Sequence, residues 1–155
     1  MLRLDNVRKY INSLGWIGPD IVVDLNSVLD YISLEDLDSV ALTNQWRRAM
    51  VILHHWEQHS DEQVKLIDHK LTALWAEKDP EVRREIVKRG QTIRESSVKA
   101  GIEATPEYST MSNSSTSWRR LRDTLKGMRD ALDASVIVQE SVNLRHQEQE
   151  DPTRN

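Results

Sequence analysis

Residues 118–132 read WRRLRDTLKGMRDAL and carry apolar side chains at intervals of three and four residues. The intervals continue through Ser135, Gln139 and Val142. This spacing places one seam along one side of an α-helix, and such a seam needs a second helix to cover it. The pattern predicts a coiled-coil helix over 118–146. Its homo-oligomer interface would be formed by Trp118, Leu121, Leu125, Met128, Leu132 and Val142.

The same helix is strongly basic at its start. Residues 118–129 contain five basic residues and one acidic residue, whereas the whole chain has a net charge of −4. A row of cations can face nucleic-acid phosphates. It can equally face residues 1–45 of a neighbouring subunit, which contain three basic and seven acidic residues. Both interpretations remain open from the sequence.

The composition limits the class of protein. The 155 residues are 38% hydrophobic and 30% charged, which is lean in core-forming residues and favours an elongated shape over a small monomeric bundle. The absence of Cys excludes disulfides and thiolate zinc sites. Because no stretch is apolar enough to span a bilayer and no apolar core follows the first residues, we expect a cytoplasmic protein without membrane contact. For a phage protein this would be the host cytoplasm.

Helical patterns fill the first two thirds of the chain. Residues 1–33 are expected to form short N-terminal helices, and residues 34–101 a long helical hairpin. The first hairpin helix has no Gly or Pro from 34 to 78 and is expected to be continuous, although Ser60 could cap a new helix. Asp79 and Pro80 are expected to form the hairpin turn. The second helix would contain Gly90 and stop at Gly101.

The remaining segments flank the basic helix. Residues 102–117 are rich in Ser and Thr and contain Pro106, which is typical of a linker. Residues 147–155 are expected to be a disordered tail. The predicted fold is therefore all-α, an elongated helical hairpin followed by a C-terminal amphipathic helix for assembly.

Few residues are arranged for chemistry. His55, His59 and Glu62 share one helix face and could contribute to a zinc or iron site, but a further ligand is not evident. The sequence has no Gly-rich phosphate loop and no nucleophile motif. We therefore expect a non-enzymatic protein with no metal and no cofactor, and a metal-dependent helical enzyme is the third possibility.

The layout resembles a family of phage recombination mediators, the UvsY type. The matching elements are HKL at 69–71 leading to Asp79-Pro80, and WRRL at 118–121 leading to ALDA at 131–134. The resemblance implies a ring-forming accessory protein that binds single-stranded DNA and helps load a recombinase onto DNA covered by single-strand-binding protein. It implies that Lys70 and Lys78 lie in the family's basic hairpin segment.

Two functions therefore remain from the sequence. The first is a self-assembling accessory protein that binds single-stranded DNA and recombination proteins. Its nucleic-acid-binding residues would be Lys70, Lys78, Arg119, Arg120, Arg122, Lys126 and Arg129. The alternative is a structural or adaptor subunit, of a virion or another complex, that acts only through protein–protein contacts.

Overall fold

The computed structural model describes residues 4–33 and 39–150, and it is helical nearly throughout. The helices are α1 (Leu4–Asn12), a 3₁₀ turn (Ser13–Trp16), α2 (Pro19–Ile32), α3 (Ser39–Lys88), α4 (Glu95–Glu103) and α5 (Pro106–Glu150). No strand occurs among the described residues. The prediction of an all-α fold is confirmed, and α1 and α2 lie in the part of the predicted N-terminal segment that the structure describes, residues 4–33.

The chain forms two compact units, and the first comprises residues 1–57 and 123–155. In this unit α5 runs antiparallel to α3, because Glu57 pairs with Arg129 while the earlier Arg47 pairs with the later Glu140. The indole N–H of Trp56 in α3 donates a hydrogen bond to the carboxylate of Asp24 in α2 at 2.9 Å. Its core consists of buried residues from four helices and the 3₁₀ turn: Val7, Ile11, Leu14, Ile21, Leu25, Val28, Leu29, Ala49, Leu53, Leu125, Met128, Leu132 and Val136.

The second unit comprises residues 58–122. It contains the end of α3, all of α4 and the start of α5, and α3 and α5 are again antiparallel because Asp61 pairs with Arg122 and Asp68 with Arg119. A small core joins the three helices. It contains Ile86, Val98 and Ile102, with Trp75, Val82 and Tyr108 packed against them.

The prediction that a single helix crosses Ser60 is confirmed, but the predicted turn at Asp79-Pro80 is wrong. α3 continues through Pro80 to Lys88. Proline removes one backbone hydrogen bond and normally bends or ends a helix. Here both Pro80 and Ala76, whose carbonyl loses its partner, are exposed. Water can therefore satisfy that carbonyl, and buried Ile86 beyond the proline holds the helix to the core.

The break expected at Gly101 instead occurs at Gly90. Gly90 has φ +70° and follows the last turn of α3. The amide of Gln91 donates to the carbonyl of Ile86 at 3.2 Å, and the amide of Gly90 donates to that of Val87 at 2.9 Å. This pair of bonds is the Schellman motif, which favours glycine at the left-handed position. Gly101 lies inside α4 instead of ending a helix.

The predicted linker at 102–117 is also wrong. Its first residues end α4, and α5 begins at Pro106, a residue suited to the first turn because it needs no amide partner. Some of the hydroxyls that suggested a loop donate hydrogen bonds within the folded chain: Thr116 donates to the carbonyl of Ser112, and Ser115 to the carboxylate of Asp68. Residues 147–150 of the predicted disordered tail continue α5, and 151–155 lie outside the described residues.

The hairpin therefore has different partners from those expected. The helix antiparallel to α3 is α5, and the segment predicted as the second arm, 80–101, contains the end of α3, the Gly90 turn and most of α4. The helix start predicted after Ser33 falls on residues 34–38, which lie outside the described residues, and Ser33 itself caps the end of α2. The difference arises because the spacing of apolar residues predicts where helices form but not which helices pack against each other.

Candidate interaction surface

The apolar seam of α5 is buried inside the single chain. Trp118, Leu121, Leu125, Met128 and Leu132 are at most 9% exposed. Of the residues predicted to bind another subunit, Val142 alone is exposed, at 38%. The assignment of the five buried residues to an oligomer interface is corrected accordingly, since they offer no surface to a second subunit in this fold.

The seam also follows a different path beyond Leu132. The predicted next position was Ser135, but Ser135 is exposed and Val136 is buried at 5%. A straight helix repeats every 3.6 residues, so a heptad series drifts around it unless the helices supercoil. The extra step of four residues keeps the seam facing the core. Val142 consequently falls on the outside of the helix.

In the second unit, two of the predicted DNA-binding cations contact carboxylates of α3. Arg119 lies 2.5 Å from Asp68, and Ser115 donates to the same carboxylate at 3.0 Å. Arg122 donates to Asp61 at 3.1 Å. Hydrogen bonds from Lys65 and then from Arg122 hold the pKa of Asp61 below its ordinary value. These cations fasten α5 to α3.

In the first unit, Arg129 has the same role. Its guanidinium lies 3.0 Å from the Glu57 carboxylate, and it contacts Nδ1 of His54 at 2.9 Å. Arg129 is 26% exposed and Glu57 16% exposed, so both charges are partly withdrawn from water. Such a pair needs its partner more than a surface pair does.

Of the other four predicted cations, Lys78 is largely withdrawn from water, with a side chain that is 19% exposed, and three lie at the surface. Lys78 pairs with Glu81 at 3.3 Å, and this hydrogen bond raises the pKa of Lys78. Lys70, Arg120 and Lys126 are exposed. Four of the seven residues predicted to bind nucleic acid therefore contact carboxylates, namely Lys78, Arg119, Arg122 and Arg129.

The sequence reasoning missed the carboxylates that receive these arginines. Glu57, Asp61 and Asp68 recur at intervals of four and seven residues along α3, which places them on one face. The arginines at 119, 122 and 129 recur at intervals of three and seven along α5. Two charge rows of opposite sign at helical spacing are a signal for pairing between helices, and it was available in the sequence.

The side chains of His55, His59 and Glu62 do not converge on a common point where they could ligate a metal ion. The His59 ring packs edge-on against Trp118, with centroids 5.6 Å apart, and the His55 ring packs edge-on against Trp56 at 5.2 Å. Glu62 is exposed. Within residues 4–33 and 39–150, no group of three His, Asp or Glu side chains is arranged to hold a metal ion.

A further apolar surface was also missed. Ile137, Val138 and Leu144 are 58%, 65% and 61% exposed on the last third of α5. In α3 of the same unit, Val51 is 70% exposed. The sequence IVQESVNL at 137–144 could have indicated this surface, because it has more apolar residues than fit along one side of a helix. Ile137 and Leu144 are seven residues apart and share one side of α5, and adjoining exposed apolar side chains often mark sites of protein contact.

Comparison with known proteins gives no match to this arrangement. The chain matches no protein-family model, and no curated protein and no solved structure is significantly similar to it. Among the described helices, none combines the length and the apolar character that crossing a bilayer requires.

Proposed function

We propose that this chain is a non-enzymatic helical accessory subunit that acts through protein–protein contacts, as a structural or adaptor component of a larger complex. The observation that carries the proposal is the exposed apolar part of α5, with Ile137, Val138 and Leu144 more than half exposed beside a seam that is already buried. Covering water-exposed aliphatic side chains with a partner lowers the free energy of the complex, by about 25 cal/mol for each Å² of apolar surface buried.

The charges of the fold support the same proposal. Arg119, Arg122 and Arg129 already contact carboxylates of α3. A phosphate would have to compete with those carboxylates and would leave them without a partner. In the described residues, most of the predicted cationic row therefore pairs with carboxylates of the same chain. This pairing weakens the case for a dedicated nucleic-acid surface.

A second candidate is the accessory protein that binds single-stranded DNA and recombination proteins, as the resemblance to UvsY-type mediators implies. Exposed Lys70 and Lys126 favour it, because cations that project into water can neutralise phosphates without breaking the fold. Arg120 is exposed as well. This candidate makes the contrasting prediction of salt-sensitive binding.

Fluorescence anisotropy of a labelled oligothymidylate separates the two candidates. It is titrated with the chain at about 50 and 200 mM salt, since phosphate binding weakens steeply over this range. The adaptor proposal expects no saturable binding at either salt concentration. The matched variants are Lys70→Ala with Lys126→Ala and, as a control of equal charge, Lys9→Ala with Lys99→Ala.

Saturable binding that falls with salt and is lost in the first double variant but kept in the control would overturn the adaptor proposal. Such a result would establish the DNA-binding candidate. Arg119→Ala and Arg122→Ala are not suitable for this purpose, because both substitutions also remove an ion pair between α3 and α5.

A further inference from the structure

One exposed face of α5 is suited to a second copy of this chain. Ala131, Ala134, Val138 and Val142, here named the outer face, follow one another at intervals of three, four and four residues. This spacing aligns them along one side of the helix. All four are exposed, and Val138 is 65% exposed. The outer face is distinct from the buried seam, which passes through Leu132 and Val136.

An apolar groove borders the outer face. It has a volume of about 430 Å³ and lies between α5 and the helices α1 and α2 of the same unit. A cavity of about 150 Å³ already holds a benzene-sized group, so this groove can accept aliphatic side chains from a partner. The lining residues are Leu4, Val7, Leu29, Ile32, Met128, Ala131, Leu132 and Ser135.

Charges at the two ends of the outer face are of opposite sign. Asp130 precedes it and is 58% exposed beside Arg129, and exposed Arg145 follows it. With a rise of 1.5 Å per residue, Asp130 lies about 12 Å before Val138 and Arg145 about 10.5 Å after it. If two copies of α5 meet antiparallel at Val138, Asp130 of each copy comes level with Arg145 of the other.

We propose that a second copy of this chain docks on the outer face, with the two α5 helices antiparallel and a two-fold axis at Val138. This proposal rests on the proposed function and names its partner. Val142 of one copy then lies level with Ala134 of the other, beside the apolar groove. A parallel arrangement would instead place equal charges opposite each other, which is unfavourable. The interface is self-complementary, as two-fold symmetry requires.

The chain lacks Cys, so single introduced thiols report the arrangement directly. Three variants are treated with a short bismaleimide: Val138→Cys, Ala134→Cys and Val142→Cys. The proposal expects Val138→Cys to link to itself, because the axis passes there. Ala134→Cys and Val142→Cys should each link poorly alone and efficiently when mixed, since positions 134 and 142 face each other across the axis.

Sedimentation equilibrium over a concentration series then measures the dimer. Asp130→Arg and Arg145→Asp should each weaken it by roughly tenfold, because symmetry places the repulsive contact in the dimer twice. The double variant should restore the wild-type dissociation constant. A variant that had merely lost its fold would not be rescued by a second substitution, so rescue indicates a direct contact between the two charges. Circular dichroism checks that each variant is folded.

Three results would overturn the proposal: a monomer at every concentration, self-linking of Ala134→Cys as efficient as that of Val138→Cys, or no rescue by the double variant. None of these depends on DNA. Failure of the dimer is therefore distinguishable from failure of the proposed function, which the oligothymidylate titration tests by itself.

Discussion

The guanidinium of Arg129 lies 3.0 Å from the carboxylate of Glu57 and joins α5 to α3 in the first unit. Both side chains are about three quarters or more withdrawn from water, with 26% and 16% exposure. This ion pair shows that a basic residue beside an apolar seam can have a structural role and need not bind a ligand. It neutralises an acid that the packing of the two helices has partly desolvated.

Arg129→Gln should lower the free energy of unfolding by about 1–3 kcal/mol, because it leaves the Glu57 carboxylate partly buried without its cation. Urea denaturation followed by circular dichroism measures the change. Lys126→Gln, at an exposed position on the same helix, is the control and should change stability little. Adding Glu57→Gln to Arg129→Gln should recover part of the loss, and an unchanged stability in Arg129→Gln would show that the pair contributes nothing.

Leu125→Ala should destabilise the chain by about 2–5 kcal/mol, the usual cost of a cavity in a core, because Leu125 is 1% exposed. The difference in stability between Leu125→Ala and the wild type should be the same at every protein concentration, since the seam is filled by the same chain. Leu125→Asp should unfold the protein and not merely dissociate an oligomer. Thermal melts at several concentrations test this. A folded Leu125→Asp monomer would contradict the burial of the seam.

Gly101→Ala should destabilise the second unit by about 1–3 kcal/mol, the cost of overpacking. A Cβ at Gly101 would lie 2.6 Å from Cγ1 of Val82, so either the Val82 side chain would have to move or α4 and α3 would have to separate. Val82→Ala should relieve the clash in a double variant. Gly127→Ala is the matched control, because its Cβ would meet no atom within 4 Å, and it should stabilise α5 by about 0.5–1 kcal/mol. Denaturant melts compare the four proteins.

Asp61→Asn should be less stable than the wild type at neutral pH, and the difference should shrink in acid. Hydrogen bonds from Lys65 and Arg122 lower the pKa of Asp61 in the folded chain below its ordinary value of 3.8. The stabilisation is therefore complete above pH 3.8 and is lost as the pH falls through the lower folded pKa. Melting temperatures between about pH 2 and 7 measure the difference, and Asp133→Asn is the control. A constant difference across this range would exclude the assigned cause.

The sequence predicted the candidate site only in part. It identified the cations on α5 by their spacing, but three of those arginines proved to contact Glu57, Asp61 and Asp68. The charge of a side chain is local information, whereas its partner depends on which helix lies opposite. The exposed apolar residues after Val136 were missed for a related reason, because a seven-residue repeat was assumed where the straight helix required a step of four.

The sequence alone determined that the described chain is helical and that the positions from Trp118 to Leu132 form an apolar seam. Both follow from local periodicity, because residues three and four apart share a helix face whatever the rest of the chain does. Only the tertiary structure decided that the seam is covered within the same chain. It also decided that Pro80 lies inside a helix, because burial of Ile86 beyond the proline outweighs the local preference for a break. Burial of Leu125 likewise depends on helices that are far apart in sequence. The end of α3 at Gly90, by contrast, follows from local backbone hydrogen bonds that favour glycine there.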